Sequence, residues 1–155
     1  MRKTRYTRRS KQKLGTLLLD WRKIQTAITR QVVGFYPDEM SSTWVNAHMA
    51  NNGGDPYTVS TTYEPYAAGF QSVINAVIYQ QSQMYHTAQY NCTTAIAYIC
   101  DAAGFTLPKT ESYFPFFVAK GLSPGQLGLD LRNNQSSGIL NPNGGSAPYS
   151  KGSCN

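Results

Sequence analysis

The strongest constraint on the fold is a run of apolar residues at helical spacing between Pro65 and Gln83. Its apolar side chains recur three and four residues apart, at Phe70, Val73, Ile74, Val77 and Ile78. That spacing places them on one face of an α-helix, while the opposite face carries glutamine, serine and asparagine. The pattern predicts an amphipathic helix over 65–83 whose apolar face packs against another element.

A second helix is predicted to begin directly after Asn91, where residues 90–104 read YNCTTAIAYICDAAG. An asparagine side chain accepts hydrogen bonds from the free backbone N–H groups of the first helical turn. A glycine suits the left-handed turn beyond the helix, and Gly104 holds that place. One face of this helix is shared by Cys92, Ile96, Ile99 and Ala103. Cys92 is therefore predicted to lie in the first turn.

Strands are predicted before the first helix. Residues 14–20 and 26–37 are rich in apolar, β-branched and aromatic side chains, which predicts two strands joined by a turn. YTVSTTY, residues 57–63, predicts a third strand. The intervening residues 38–56 end in NNGGDP, and we expect a loop there with a short strand or turn around Trp44 at most. The prediction is an α+β fold, with a small antiparallel sheet packed against two main helices.

The chain has 155 residues, the size of one domain. Its composition distinguishes both ends of the chain from the middle. The first 14 residues carry seven Lys/Arg and no acid, whereas the other 141 hold seven basic and eight acidic residues. We interpret residues 1–13 as a basic N-terminal arm and 14–134 as the folded domain. Within that domain, 105–134 is rich in aromatic residues, Pro and Gly and predicts packed irregular structure with short helical turns. Residues 135–155, rich in Asn, Ser, Gly and Pro, are predicted to form a flexible polar tail.

The uneven distribution of charge indicates which kinds of partner to expect. A basic arm on a nearly neutral body favours a local contact, with nucleic acid or an anionic membrane through residues 2–13, over binding across the whole surface. A solvated terminus without a partner is the simpler alternative. The apolar run LGTLLL is too short for a membrane span or a signal peptide and is followed by Asp20.

The three cysteines are Cys92, Cys100 and Cys154. Three cysteines cannot all pair within one chain, so they do not form a disulfide framework. The chain has no CxxC pair, and neither histidine belongs to a group of residues with zinc-ligand spacing. We therefore expect no metal and no cofactor. In an exported protein Cys100 can pair with Cys154 and leave Cys92 free, the alternative being that Cys100 is simply buried in its helix.

Cys92 is the candidate nucleophile. The first turn of a helix presents free N–H groups and a partial positive charge, which lowers the pKa of a thiol placed there. The same N–H groups can stabilise the oxyanion that forms in acyl transfer. The alternative is structural, since unreactive cysteines are among the most buried residues and can begin an apolar helix face.

Four segments carry a resemblance to a known family: VVGFYPDE, DPYTVSTTYEPYAAGFQSVINAVI, YHTAQYNCTTAIAYICDAAGFTLP and LSPGQLGLDLRN. In this order they resemble the permuted papain-like domains at the ends of bacterial secreted and polymorphic toxin proteins, including Rhs and type VI secretion effectors. The resemblance covers about residues 14–134. It implies a circularly permuted papain-like arrangement, with the small sheet packed on the cysteine helix. Cys92 matches the family's nucleophile and Asn91 its capping neighbour.

The histidine that the resemblance implies is missing from its usual place. Family members carry a GH(T/V)F motif on the first strand, where this chain reads LGTLLL, with Gly15 followed by Thr16. His48 and His86 are the candidates to replace it as the catalytic base. His48 is the first choice because it falls in the predicted loop, whereas His86 precedes Cys92 by only six residues.

The resemblance and the missing histidine indicate two alternative functions. Relatives such as NlpC-type cell-wall peptidases and lecithin:retinol acyltransferase-like enzymes cleave or transfer acyl groups through a cysteine thioester. The resemblance thus implies a cysteine-dependent hydrolase or acyltransferase acting on a peptide, cell-wall or lipid substrate. It also implies a secreted or delivered toxin effector, with an immunity protein or the secretion apparatus as partner. The missing histidine favours the alternative, a catalytically inactive papain-like binding or structural module in a larger secretion or phage-tail-like assembly.

Overall fold

The computed structural model describes residues 17–22, 28–133 and 137–151 of the chain. In chain order its elements are β1 (Leu17–Arg22), β2 (Ile28–Pro37), β3 (Val45–Asn51), β4 (Pro56–Tyr57), β5 (Ser60–Thr62), α1 (Ala67–Gln80), β6 (Met84–Tyr85), α2 (Cys92–Ala102), β7 (Glu111–Phe114), a 3₁₀ turn (Pro115–Phe117), β8 (Ala119–Leu122), α3 (Pro124–Arg132), β9 (Ile139–Asn141) and β10 (Gly145–Ser146). This mixture confirms the α+β class.

The main sheet has four antiparallel strands in the order β1-β2-β3-β6. In its register Tyr36 of β2 lies opposite His48 of β3, and Val45 of β3 lies opposite Tyr85 of β6. One face of the sheet carries a buried cluster that includes Ala95 of α2, so α2 covers this face. The members of that cluster are Phe35, Val45, Tyr85 and Ala95, with Ala47, Met49 and Tyr90 packed against them.

The two long helices pack on each other. Val73 and Ala76 of α1 are buried together with Ile99 of α2. Of the apolar face predicted for α1, Val73 is buried and Val77 is partly buried, whereas Ile78 is 57% exposed. On the far side of α2, Cys100 is buried with Leu107 and with Leu131 of α3. The cysteine helix is therefore enclosed by the sheet, α1 and α3.

Both predicted helices are confirmed. The helix predicted over 65–83 spans Ala67–Gln80. The second begins at Cys92 with Asn91 as its N-cap, and Gly104 beyond its end takes a positive φ of 83°. The two strands predicted from 14–20 and 26–37 are β1 and β2, which pair antiparallel.

The loop prediction for 38–56 is wrong over its central part, where β3 forms an interior strand between β2 and β6. Its inward side chains, Val45, Ala47 and Met49, alternate with exposed Asn46 and His48. Alanine is a poor strand former, so the alternation is weak in the sequence. β3 is stabilised by pairing with β2 on one edge and with β6 on the other, which compensates for the low strand propensity of its residues.

The strand predicted at 57–63 is divided between β4 and β5, and neither joins the main sheet. β4 pairs with β10 and β5 pairs with β9, both antiparallel. The prediction of a flexible tail over 135–155 is therefore wrong for 137–151, which contains β9 and β10. Ala147 is buried there, and the Ser150 hydroxyl accepts a hydrogen bond from the Val32 N–H at 3.1 Å.

The segment predicted as irregular, 105–134, contains the β7–β8 hairpin and α3. Ser123 caps α3 by accepting a hydrogen bond from the Gln126 N–H at 3.2 Å. The basic arm 1–13, the LGT stretch at the family's histidine position and Cys154 lie outside the described residues.

Candidate functional site

The candidate site is centred on the first turn of α2. The side-chain Oδ1 of Asn91 accepts hydrogen bonds from the N–H groups of Thr93 at 2.9 Å and Thr94 at 3.3 Å. This is the capping geometry that the sequence predicts. It also occupies two of the N–H groups that a thiolate or an oxyanion at this helix end would use.

The other end of the Asn91 amide joins two further segments to the helix. Its Nδ2 donates to the Thr87 carbonyl at 2.8 Å and to the Leu122 carbonyl at 2.7 Å. Asn91 is buried, and both of its N–H donors and its oxygen are used. One side chain thus ties the turn before α2, the start of α2 and the end of the β7–β8 hairpin together.

Cys92 lies where the sequence predicts but is sealed from solvent, with none of its surface exposed. Its Sγ lies 4.0 Å from the Thr93 hydroxyl. Burial raises the pKa of the thiol, and the hydrogen bonds of Thr93 and Tyr85 only partly oppose that effect. The expected lowering of the pKa by the helix terminus is therefore not found, because the cost of a desolvated anion is larger.

Tyr85, beside Cys92, and Cys100, which is buried elsewhere on α2, are affected in the same way. Burial, and then the neighbouring Cys92, raises the pKa of the Tyr85 phenol. Burial raises the pKa of Cys100 to about 11. All three groups are accordingly held in their neutral, protonated forms at neutral pH.

His48, the first choice for the base, lies on the other face of the main sheet from Cys92. Successive side chains of a strand point to opposite faces, and its neighbours Ala47 and Met49 pack against the cluster that α2 covers. The His48 Nδ1 lies 2.6 Å from the Asp38 carboxylate, and the His48 side chain is 54% exposed. This exposed imidazole–carboxylate pair is separated from the Cys92 thiol by the strand itself.

His86, the second candidate for the base, is buried, and its ring bonds to nearby backbone groups and contacts two aromatic rings. Its Nδ1 accepts hydrogen bonds from the N–H groups of Ala88 and Gln89, each at 3.2 Å. The lone pair of this nitrogen is therefore already used within the turn. The ring lies 5.2 Å from Trp44 and 5.6 Å from Phe117, measured between centroids. His86 therefore stabilises the turn that leads into α2.

The structure does not bring the three predicted site residues together. Over 28–133 and 137–151, no hydrogen bond joins Cys92 to either imidazole. A cavity of about 220 Å³ lies elsewhere, beside the stacked rings of Tyr63 and Phe105. In the described part of the chain no three His, Cys, Asp or Glu side chains are grouped to hold a metal ion, and no helix is long and apolar enough to cross a membrane.

A feature that sequence reasoning missed is the exposed end of the β7–β8 hairpin. It consists of Pro115–Phe117 and Val118, between the paired ends Phe114 and Ala119, and we call it the hairpin tip. The sequence signal was the run FPFFV, which reads equally well as part of a core. No protein-family model, curated protein or solved structure matches the chain.

Proposed function

We propose that this chain is a catalytically inactive papain-like binding module, in which the cysteine helix has a structural role. The observation that carries the proposal is the complete burial of Cys92 together with the raised pKa of its thiol. A nucleophilic cysteine needs access to substrate and a substantial thiolate fraction. Neither condition is met by this arrangement.

The positions of the imidazoles support the same proposal. His48 faces away from α2, and His86 uses its Nδ1 to accept backbone hydrogen bonds. A general base must reach within hydrogen-bond distance of the proton that it removes. The papain-like arrangement is itself part of the proposal, since it depends on the four resembling segments and on the packing of the small sheet against α2.

The second candidate is the cysteine-dependent hydrolase or acyltransferase, acting on a peptide, cell-wall or lipid substrate as a secreted or delivered effector. The observation that favours it is the Asn91 cap, which fixes Cys92 in the first turn of α2 as a nucleophile requires. This function needs a movement of the sheet that uncovers the sulfur and brings in a base.

Amide and ester hydrolysis separates the two functions. We expect the full chain and its Cys92→Ala variant to hydrolyse peptide, peptidoglycan and p-nitrophenyl ester substrates equally slowly, because the buried thiol does not reach them. Cys100→Ala, which removes another buried thiol of α2, is the matched control. Hydrolysis that is lost in Cys92→Ala and kept in Cys100→Ala would overturn the binding-module proposal and support the enzyme.

A further inference from the structure

The hairpin tip presents large apolar side chains to solvent. Phe116 is 97% exposed and Val118 is 80% exposed. Val118 also has φ 48° and ψ 41°, a left-handed conformation that is unfavourable for a β-branched residue. The left-handed residue closes the turn, where the Val118 N–H donates to the Pro115 carbonyl at 3.3 Å. The exposure of two large apolar side chains on one turn adds nothing to the core and is typical of a contact surface.

The base of the hairpin is held firmly against the body of the protein, which fixes the position of the tip. The Leu122 carbonyl accepts the hydrogen bond from Asn91, and the Ser112 and Ser123 hydroxyls lie 2.7 Å apart. A Cβ atom added at Gly121 would lie 1.8 Å from the Ala88 carbonyl oxygen, which shows how closely β8 approaches the turn before α2.

Further aromatic residues surround the tip. The His86 ring lies against both Phe117 and Trp44, which places half-exposed Trp44 on the same side of the molecule as the tip. Tyr113, which is exposed, lies opposite exposed Lys120 in the hairpin register. Exposed phenylalanine and valine at the end of the hairpin, with tyrosine, tryptophan and lysine nearby, form a set of side chains that suits the boundary of a lipid bilayer.

The charge pattern favours an anionic surface. No aspartate or glutamate occurs between Ser112 and Leu129, whereas this stretch contains Lys120. The first 14 residues add seven Lys/Arg without an acid. Basic residues in the same chain strengthen the attachment of apolar side chains to anionic lipids, and stable attachment generally needs two such signals.

A lipid surface fits the hairpin tip better than a protein does. A standard protein interface needs about 800 Å² on each partner with matched shape, which a single turn with two strongly exposed side chains does not offer. A bilayer accepts exposed apolar side chains without shape complementarity. We propose that the hairpin tip inserts into the headgroup region of anionic membranes, with Phe116 and Val118 as the inserted side chains.

This inference extends the proposed function, because it names the partner that the binding module contacts. It does not depend on the state of Cys92. Membrane binding should therefore be the same in the full chain and in Cys92→Ala, whereas a cysteine-dependent enzyme would be revealed by hydrolysis. Failure of one proposal is thus distinguishable from failure of the other.

Sedimentation with vesicles tests the insertion. We expect the full chain to bind vesicles of phosphatidylcholine and phosphatidylserine at about 3:1, and Phe116→Asp to bind about tenfold more weakly, because aspartate removes the apolar contact of Phe116 and is repelled by the anionic headgroups. Tyr66→Asp is the matched control, since Tyr66 is 91% exposed at the start of α1. In a second experiment Trp21 and Trp44 are replaced by phenylalanine, and each test residue is then introduced as the single tryptophan. The Trp emission of Phe116→Trp should shift to shorter wavelength with vesicles, and that of Tyr66→Trp should not.

Three results would overturn the inference. Vesicle binding by Phe116→Asp equal to that of the full chain would exclude insertion of the tip. Binding that is lost only when residues 2–13 are deleted would assign attachment to the basic arm alone. Absence of vesicle binding by the full chain, alongside capture of a purified protein that depends on Phe116, would assign the tip to a protein partner.

Discussion

Replacing Asn91 by aspartate is expected to destabilise the fold by about 3–5 kcal/mol, although aspartate is as good a helix cap as asparagine. Aspartate keeps the oxygen that accepts from Thr93 and Thr94. It loses the N–H donors and turns a second oxygen towards the carbonyls of Thr87 and Leu122. Buried oxygens without donors are costly, and a carboxylate beside two carbonyls adds repulsion.

Urea unfolding followed by circular dichroism measures this effect. Asn91→Ser, which can cap the helix but cannot bridge to Leu122, is the comparison and should lose less stability than Asn91→Asp. If capping were the whole role of Asn91, both variants would stay within about 1 kcal/mol of the full chain. That result would contradict the assignment of Asn91 as the side chain that joins three segments.

Replacing Gly121 by alanine is the second substitution for which we expect a large effect, a loss of about 3 kcal/mol or more. The added Cβ would lie 1.8 Å from the Ala88 carbonyl oxygen and 3.0 Å from its carbonyl carbon. Both neighbours are backbone atoms, so no side-chain rotation relieves the overlap. The hairpin has to move away from the turn before α2.

Gly125→Ala is the matched control for Gly121→Ala. Gly125 lies in the first turn of α3, and a Cβ added there would meet no atom within 4 Å. We expect this variant to be stabilised by about 0.5 kcal/mol, because alanine favours the helix. Equal unfolding midpoints for Gly121→Ala and Gly125→Ala would show that the close approach of β8 to Ala88 does not constrain the fold.

The helices could be predicted from the sequence because their signals are local. The apolar spacing from Phe70 to Ile78 indicates the helix α1, of whose predicted apolar residues Val73 is buried, and Asn91 with Gly104 defines both ends of α2. Capping and periodicity act over a few residues and do not depend on the rest of the chain.

The missed strands depend on pairing between distant segments. β5 pairs with β9 through Thr61 opposite Leu140, and each strand has only three residues. Neither segment is long enough to show a strand pattern by itself, and Asn, Ser, Gly and Pro around β9 and β10 read as a tail. Long-range partners stabilise such short strands, and their register cannot be read from composition.

The candidate site also depends on contacts between distant segments, which the sequence does not reveal. Asn91 could be assigned as a cap from its position, but its bonds to Thr87 and Leu122 depend on where the hairpin returns to the body. The burial of Cys92 depends on how the sheet covers α2. The orientation of His48 depends on the register of β3, a strand that the sequence did not reveal.

Alkylation of Cys92 in the native protein tests the central claim most directly. Iodoacetamide is added to the full chain at pH 7.5, and the labelled cysteine is identified by mass spectrometry. A buried thiol with a raised pKa reacts only when the fold opens. We predict that Cys92 is modified at least about 100-fold more slowly than a free thiol, and that its rate rises with urea in step with unfolding. Modification of the folded protein faster than a free thiol, with a midpoint below pH 8, would show an exposed thiolate and contradict the account.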